Sequence, residues 1–192
     1  MASKSGYSDV VKELVKRPQT DVNKGKTDER ITPLYAASEK GHLDTVQILL
    51  AHENVEVNIA KLTWGATPLH AASKKGKVDV VRELLCDERV DPNIQNSDGR
   101  TPLMSATFNS KINVVEVLLA SPRVDTSVND NAGNTALELA EKNGQLAEAS
   151  AIESRSTFLQ DGFTCPQELG EYVKIRTNRG GCRSANFFDS SQ

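Results

Sequence analysis

Long apolar segments are missing from this 192-residue sequence. No run of about 18 apolar residues occurs, and the N-terminus lacks the apolar core of a signal peptide. Neither a membrane-spanning helix nor a secretory leader is therefore predicted. Aromatic residues are also scarce, at 5%, whereas 38% of all residues are hydrophobic. The core must consist of aliphatic side chains and alanine, which favours thin and closely packed helical layers.

Cysteine is limited to three residues, Cys86, Cys165 and Cys182. An odd and widely spaced set of cysteines is not a disulfide framework. We therefore expect an intracellular, reducing compartment, either the cytoplasm or the nucleus. The net charge of −3 shows no basic excess, so a nucleic-acid partner is not predicted.

Motifs for phosphate, metal and nucleophilic chemistry are absent as well. Neither GxxxxGK[ST] nor GxGxxG occurs, so no glycine-rich loop is available to hold a phosphate. Zinc needs about four closely spaced ligands, and Cys165 and Cys182 have neither a CxxC partner nor a histidine beside them. His70 has no nucleophile or carboxylate at a spacing that would make it a general base. The sequence thus predicts a non-enzyme with no catalytic residue, cofactor, metal or small-molecule substrate.

A unit of two short helices recurs along the chain. In the best-formed copy, Thr67 can cap a helix, Pro68 suits the first turn, and Gly76 supplies a left-handed end. The apolar stripe of a second helix follows at Val78, Val81, Leu84 and Leu85. The Thr-Pro-Leu start recurs at Thr32, Thr67 and Thr101 and returns as Thr135-Ala-Leu, at steps of 35, 34 and 34 residues. Two such helices cannot bury their apolar faces alone, so the pattern predicts a stack of repeats.

This motif resembles the ankyrin repeat, and the resemblance covers residues 1–155 with about five copies, the first incomplete. It implies a mainly α fold, an ankyrin-type solenoid of stacked antiparallel helix pairs joined by β-hairpin fingers. It also implies that His70 hydrogen-bonds near the Thr-Pro turn and ties adjacent repeats together. Residues 156–192 lose the period and are predicted to form an irregular, flexible tail.

Departures from the repeat pattern lead to further expectations. The first copy starts inside its own first helix, which we interpret as truncation of a longer array, with a makeshift cap as the alternative. Arg30 replaces a finger glycine, so an irregular finger tip is expected there. Ser110 replaces a helix-ending glycine, and the preceding Asn109 is expected to take the left-handed conformation instead. Cys86 is expected to be buried, and Glu153 is expected on the polar outer face of a C-terminal cap.

The variable positions predict where a partner binds. In ankyrin-like stacks, partners bind along the finger tips and the exposed side of the first helices. The third and fourth copies place Trp64, Lys74, Lys75, Arg100 and Phe108 at these positions. Aromatic residues and arginine dominate the energetics of interfaces. These five residues, called the candidate surface below, are therefore the predicted partner-binding site.

The sequence favours a non-catalytic scaffold that binds a partner protein through the finger tips and the concave first-helix face. The expected partner presents an acidic stretch with at least one apolar side chain, and no membrane is involved. The alternative is the targeting or substrate-recruiting arm of a larger multidomain protein whose working domain lies outside this sequence. That protein would be an enzyme, such as a ubiquitin ligase or kinase, or a channel.

Three asparagines end the connections between copies: Asn23, Asn58 and Asn93. Their side chains are expected to hydrogen-bond within their own turns. The family resemblance adds that Asn58 is a candidate for β-hydroxylation by an iron-dependent oxygenase.

Overall fold

The computed structural model describes residues 8–17, 19–25 and 29–160, with side chains as far as residue 155. Nine helices lie in these ranges. They are α1 (Ser8–Val15), α2 (Pro33–Lys40), α3 (Leu43–Leu50), α4 (Pro68–Lys74), α5 (Val78–Cys86), α6 (Pro102–Phe108), α7 (Ile112–Leu119), α8 (Ala136–Lys142) and α9 (Leu146–Gln160). The last helix runs into the segment that the sequence analysis assigned to the tail, and the rest of that segment lies outside the described residues.

The helices form two rows that run through the stack. The first helices of the repeats, α2, α4, α6 and α8, pack side by side, and so do the second helices, α1, α3, α5, α7 and α9. Each first helix also packs against the second helix of its own repeat. The predicted solenoid of stacked helix pairs is thus confirmed. Over the described ranges, none of these helices combines the length and apolarity needed to cross a membrane.

The first helices begin where a threonine caps them. The Thr32 hydroxyl accepts a hydrogen bond from the Tyr35 N–H at 3.1 Å, and the Thr101 hydroxyl accepts one from the Met104 N–H at 3.3 Å. Proline fills the first turn of α2, α4 and α6, where no backbone donor is needed. Gly76 follows α4 with a φ of +68°, which confirms the left-handed end predicted for this helix.

Two non-glycine residues take the left-handed conformation at glycine positions. Arg30 has a φ of +51° where later fingers have Gly65, Gly99 and Gly133, so the irregularity expected at Arg30 is not seen in its backbone. Ser110 has a φ of +52°, while Asn109 stays at −100°. The expectation that Asn109 would take over the left-handed role was wrong. The repeat geometry requires positive φ at the position of Ser110, and the residue found there adopts it.

These positions allow a prediction about backbone strain. A non-glycine residue in the left-handed conformation lowers the folding stability by about 1–2 kcal/mol. Replacing it with glycine removes this cost, but about half of the gain is lost because glycine also gives the unfolded chain more conformational freedom. We therefore expect Arg30→Gly to stabilise the protein by about 0.5 kcal/mol. Gly144→Ser should destabilise it by a similar amount, about 0.5 kcal/mol, because its φ is +68°; a Cβ there would meet nothing within 4 Å, so no steric clash adds to this cost. Urea titrations followed by circular dichroism measure both changes. Destabilisation by Arg30→Gly would contradict the strain argument.

The core follows the repeat register and is aliphatic, as predicted. The second helices of the interior repeats bury a valine and a leucine at matching register positions, and α5 and α7 each bury a further valine: Val46, Leu49, Val80, Val81, Leu84, Val114, Val115 and Leu118. The first helices meet through Ala37, Ala72 and Ala106, which are fully buried. Because alanine is small, these helices can approach each other closely.

Helix α1, the second helix of the incomplete first repeat, exposes part of its apolar stripe. Val10 is 50% exposed and Leu14 is 38% exposed. Leu49, Leu84 and Leu118, which occupy the register position of Leu14, are buried. The prediction of truncation, or of a makeshift cap, was based on residues 1–7. These residues lie outside the described ranges.

Two expectations for the repeat ends have different outcomes. Cys86 is exposed at the end of α5, so the prediction that it is buried was wrong. The apolar stripe of α5 turns away from the core at its last residue, because Leu84 and Val81 already fill the inner positions. Glu153 is exposed on α9, in agreement with a polar outer face, although Leu146 on the same helix is also exposed.

The fingers between the helix pairs are tight turns. Hydrogen bonds of 2.9 Å close them, from Lys61 N–H to the Ala66 carbonyl and from Asn96 N–H to the Arg100 carbonyl, and a second backbone bond in each turn is donated by the finger glycine, Gly65 or Gly99. Successive fingers are joined in the same way, because the Ser97 N–H donates to the Trp64 carbonyl at 3.0 Å. These bonds place neighbouring finger tips in a fixed row.

Candidate partner-binding surface

Trp64 lies at the tip of the finger formed by residues 59–66. The residue is 60% exposed. Leu62, which the sequence analysis did not single out, is 57% exposed two residues away. An ion pair of 3.1 Å between Lys61 and Glu29, and a hydrogen bond from Leu62 N–H to the Glu29 carbonyl, hold this finger to the preceding one. The exposed apolar tip is therefore carried on an anchored turn.

Arg100 and Phe108 are in direct contact. The guanidinium carbon of Arg100 lies 4.1 Å from the centre of the Phe108 ring, at the end of α6. Phe108 is nevertheless 46% exposed. Stacking a cation on an aromatic face contributes about 0.5–1 kcal/mol at an exposed site. The pair forms a preassembled unit of one apolar and one charged group.

The finger backbone connects Trp64 to this pair. Ser97, whose N–H binds the Trp64 carbonyl, belongs to the turn that Asn96 and Arg100 close. Arg100 is further fixed because its own N–H donates to the Asn96 side chain at 2.9 Å. Trp64 and Arg100 thus lie on two adjacent, hydrogen-bonded fingers, and Arg100 reaches Phe108 at the end of α6.

Lys74 and Lys75 are exposed at the end of α4. Lys74 has the same register position as Phe108, and α4 packs directly against α6. The structure records no ion pair for either lysine within the described part of the chain. Their positive charge therefore extends the candidate surface toward the end of the first helices.

His70 has the structural role that the family resemblance implied. The Thr67 N–H donates to Nδ1 at 3.2 Å, so Nδ1 is the acceptor and Nε2–H donates to the Arg100 carbonyl at 2.9 Å. The imidazole thus closes the cap of α4 and fixes Arg100 in the next finger. Burial lowers the pKa of His70 from 6.5 to about 4, and the hydrogen bond to the Arg100 carbonyl offsets part of this effect.

The asparagines bridge repeats instead of closing their own turns, so that expectation was wrong. Asn58 Nδ2 donates to the Arg89 carbonyl at 2.8 Å, and its Oδ1 accepts from the Asp91 N–H at 3.1 Å. Asn93 makes the same two contacts to residues 123 and 125. Hydroxylation of Asn58 stays a prediction. A hydroxylase that attacks the Asn58 Cβ must bind a side chain whose Nδ2 and Oδ1 are both already hydrogen-bonded within the protein.

An arginine ladder on the connections between repeats was missed by the sequence reasoning. Arg89 Nη2 donates to the Leu50 carbonyl at the end of α3, and Arg123 Nη2 donates to the Leu85 carbonyl in the last turn of α5. Arg155 Nη2 reaches the Ser121 carbonyl in the same way. A cation at a helix C-terminus satisfies free carbonyls and interacts favourably with the helix dipole. The recurrence of Arg-Val-Asp at residues 89–91 and 123–125 was the available signal.

Removing one member of this ladder should loosen the stack. Arg123 also donates to the Val90 carbonyl at 2.8 Å, so Arg123→Ala leaves two partly buried carbonyls without their donor. We expect a loss of about 2 kcal/mol in the free energy of unfolding, measured by urea denaturation. The control is Arg82→Ala on the exposed side of α5, which should change stability by less than about 0.5 kcal/mol. Equal effects of the two substitutions would contradict the role of the ladder.

No metal-binding cluster of three or more histidine, cysteine, aspartate or glutamate side chains is found in the described ranges. The chemistry available at the candidate surface is therefore recognition by apolar contact, charge and hydrogen bonding.

A family model described as ankyrin repeats, in three copies, matches residues 1–96 and 83–152. No curated protein matches the chain.

Proposed function

Because the chain belongs to the ankyrin repeat family, we propose that it is a non-catalytic scaffold that binds a partner protein through the candidate surface. Ankyrin repeats generally mediate protein–protein interaction. Trp64 and Phe108 are the apolar anchors in this proposal, and Arg100, Lys74 and Lys75 supply positive charge.

The observation that carries the proposal is the exposure of two large aromatic side chains in adjacent repeats, Trp64 on a finger and Phe108 at the end of α6. Trp64 is 60% exposed and Phe108 is 46% exposed, although only 5% of the residues in this sequence are aromatic. The backbones beneath them are held by hydrogen bonds, so little conformational entropy is lost on binding. Tryptophan and arginine are the residue types that most often dominate binding energy.

The partner's chemistry follows from the same residues. Three cations and two aromatic rings form the candidate surface, and the structure pairs none of these cations with a carboxylate within the described part of the chain. We therefore propose a peptide segment that carries an acidic residue and at least one apolar side chain. Electrostatic complementarity of this kind mainly raises the association rate, while the aromatic contacts determine how slowly the complex dissociates.

A selection from a random library of unphosphorylated, displayed peptides tests this proposal without a known partner. Recovered peptides should be enriched in acidic and apolar residues. Trp64→Ala and Phe108→Ala should each weaken their binding at least about tenfold, because truncating an aromatic anchor removes its packing against the partner. Thermal melting controls for folding, and Glu116→Ala on the exposed side of α7 is a matched surface variant that should bind normally. Normal binding by both aromatic variants would refute the candidate surface.

The exposed apolar side chains of α1 favour a second candidate function. A further repeat in the same polypeptide would cover the exposed side chains of Val10 and Leu14, as expected for the recruiting arm of a larger enzyme or channel. Fusing one complete ankyrin repeat upstream in register should then raise the melting temperature by several degrees. An unchanged melting temperature would count against this candidate.

A further inference from the structure

We propose that Arg100 is the residue that binds a carboxylate of the partner peptide, through paired hydrogen bonds from the outer edge of its guanidinium. The aspartate or glutamate that it binds is followed or preceded by an apolar residue that packs on the Phe108 ring. This inference rests on the proposed function and assigns the acidic contact to one side chain of the candidate surface.

Arg100 is held in place before any partner binds. Its N–H donates to Asn96 Oδ1 at 2.9 Å, and its carbonyl accepts from both Asn96 N–H and His70 Nε2 at 2.9 Å. At the other end of the side chain, the guanidinium carbon lies over the Phe108 ring, 4.1 Å from its centre. A side chain fixed at both ends loses little rotamer entropy when it binds a ligand.

The guanidinium has no anionic partner of its own. Within the described part of the chain, the other two half-buried arginines, Arg123 and Arg155, donate to backbone carbonyls. Arg100 makes no side-chain hydrogen bond, and its buried Nε has no acceptor. A buried donor without an acceptor is unusual and calls for a reason. An anion at the open edge of this partly desolvated cation would recover part of the solvation that burial removed.

The geometry favours a carboxylate. The Phe108 ring lies against the guanidinium at 4.1 Å, and no described residue accepts a hydrogen bond from the terminal N–H groups, so these donors are available to a ligand. A planar carboxylate matches this fork with two parallel hydrogen bonds, which a lysine cannot offer. Trp64 on the adjacent finger supplies apolar surface beside it, and Lys74 and Lys75 add positive potential without forming the fork.

The test is a double-mutant cycle on the peptides recovered from the unphosphorylated library. Each acidic residue of a bound peptide is changed to its amide, and dissociation constants are measured by calorimetry. Against the unmodified protein, one such change should weaken binding about tenfold or more. Against Arg100→Gln, the same change should have almost no further effect. Arg100→Lys should bind at least about threefold more weakly than the unmodified protein, because it keeps the charge but loses the fork. Arg82→Gln, an equal change of charge on α5, should bind normally.

The failures of this inference and of the proposed function can be told apart. If the aromatic variants lose binding but the acidic-to-amide changes cost the same on Arg100→Gln as on the unmodified protein, the assignment to Arg100 is wrong and the proposed function stands. Full affinity of Arg100→Lys would also overturn the assignment. A selection that returns no peptide, or peptides that ignore both aromatic residues, overturns the inference together with the proposed function. The amide changes measured against the unmodified protein do not depend on the folding of any Arg100 variant, and thermal melting controls for folding in the arms that use Arg100→Gln and Arg100→Lys.

Discussion

Leu84→Ala is expected to lower the free energy of unfolding by about 3 kcal/mol. Leu84 is fully buried on α5, between the second helices of the neighbouring repeats and the first helix of its own repeat. Truncation removes contacts on all of these sides and leaves a cavity that the short, tightly connected helices cannot close. Urea denaturation followed by circular dichroism at 222 nm measures the loss.

Leu14→Ala is the matched control for this substitution. Leu14 occupies the register position of Leu84 on α1, but 38% of its surface is already exposed. Its truncation should cost about 1 kcal/mol or less, because less apolar surface is transferred to water and no closed cavity forms. Equal losses for the two leucines would mean that α1 is covered as fully as the interior helices, which would contradict the described edge.

The second large effect is a loss of stability on acidification through His70. The pKa of His70 is about 4 in the folded protein and 6.5 as its ordinary value, so between these pH values the unfolded chain binds more protons. Stability therefore rises with pH across this window. The contribution of His70 is fully present above pH 6.5 and is lost as the pH falls toward 4. At pH 4.5 the loss amounts to about 2 to 3 kcal/mol.

His70→Gln separates this effect from the titration of carboxylates. Glutamine does not titrate, so the variant should show a loss between pH 7.5 and pH 4.5 that is smaller by about 2 kcal/mol. The comparison uses urea titrations of both proteins at the two pH values. The neutral-pH stability of the variant does not enter this difference. Parallel pH profiles of the two proteins would show that the imidazole is not held neutral.

Much of the fold could be predicted because it depends on residues close together in the chain. The threonine caps, the proline in the first turn and the glycine that ends α4 act within one helix, and the spacing of Val81 and Leu84 defines its buried face. Repetition of this pattern at a fixed step then predicts the stack. The errors at Asn109 and Cys86 concern helix ends, where neighbouring repeats decide which residue bends the chain and which side chain turns outward.

The candidate site was only partly predictable. Register placed Trp64, Arg100 and Phe108 on exposed positions; the structure exposes Trp64 and Phe108, whereas Arg100 is half-buried. Register could not show that the guanidinium of Arg100 stacks on Phe108, that its Nε lacks an acceptor, or that Leu62 is exposed beside Trp64. Each of these features depends on a side-chain rotamer. A long side chain has several allowed rotamers, and the sequence does not show which of them it adopts.

The sequence by itself therefore determined the repeat, the start of the first helices and most of the buried aliphatic positions, because caps, turns and apolar periodicity are local. Only the tertiary structure decided how one copy holds the next. The asparagine bridges from Asn58 and Asn93, the arginine ladder and the tie between His70 and Arg100 all join residues about 30 or more positions apart. Such contacts form only when stacking has brought a donor and an unsatisfied carbonyl within about 3 Å, and no pattern within a single repeat encodes that distance.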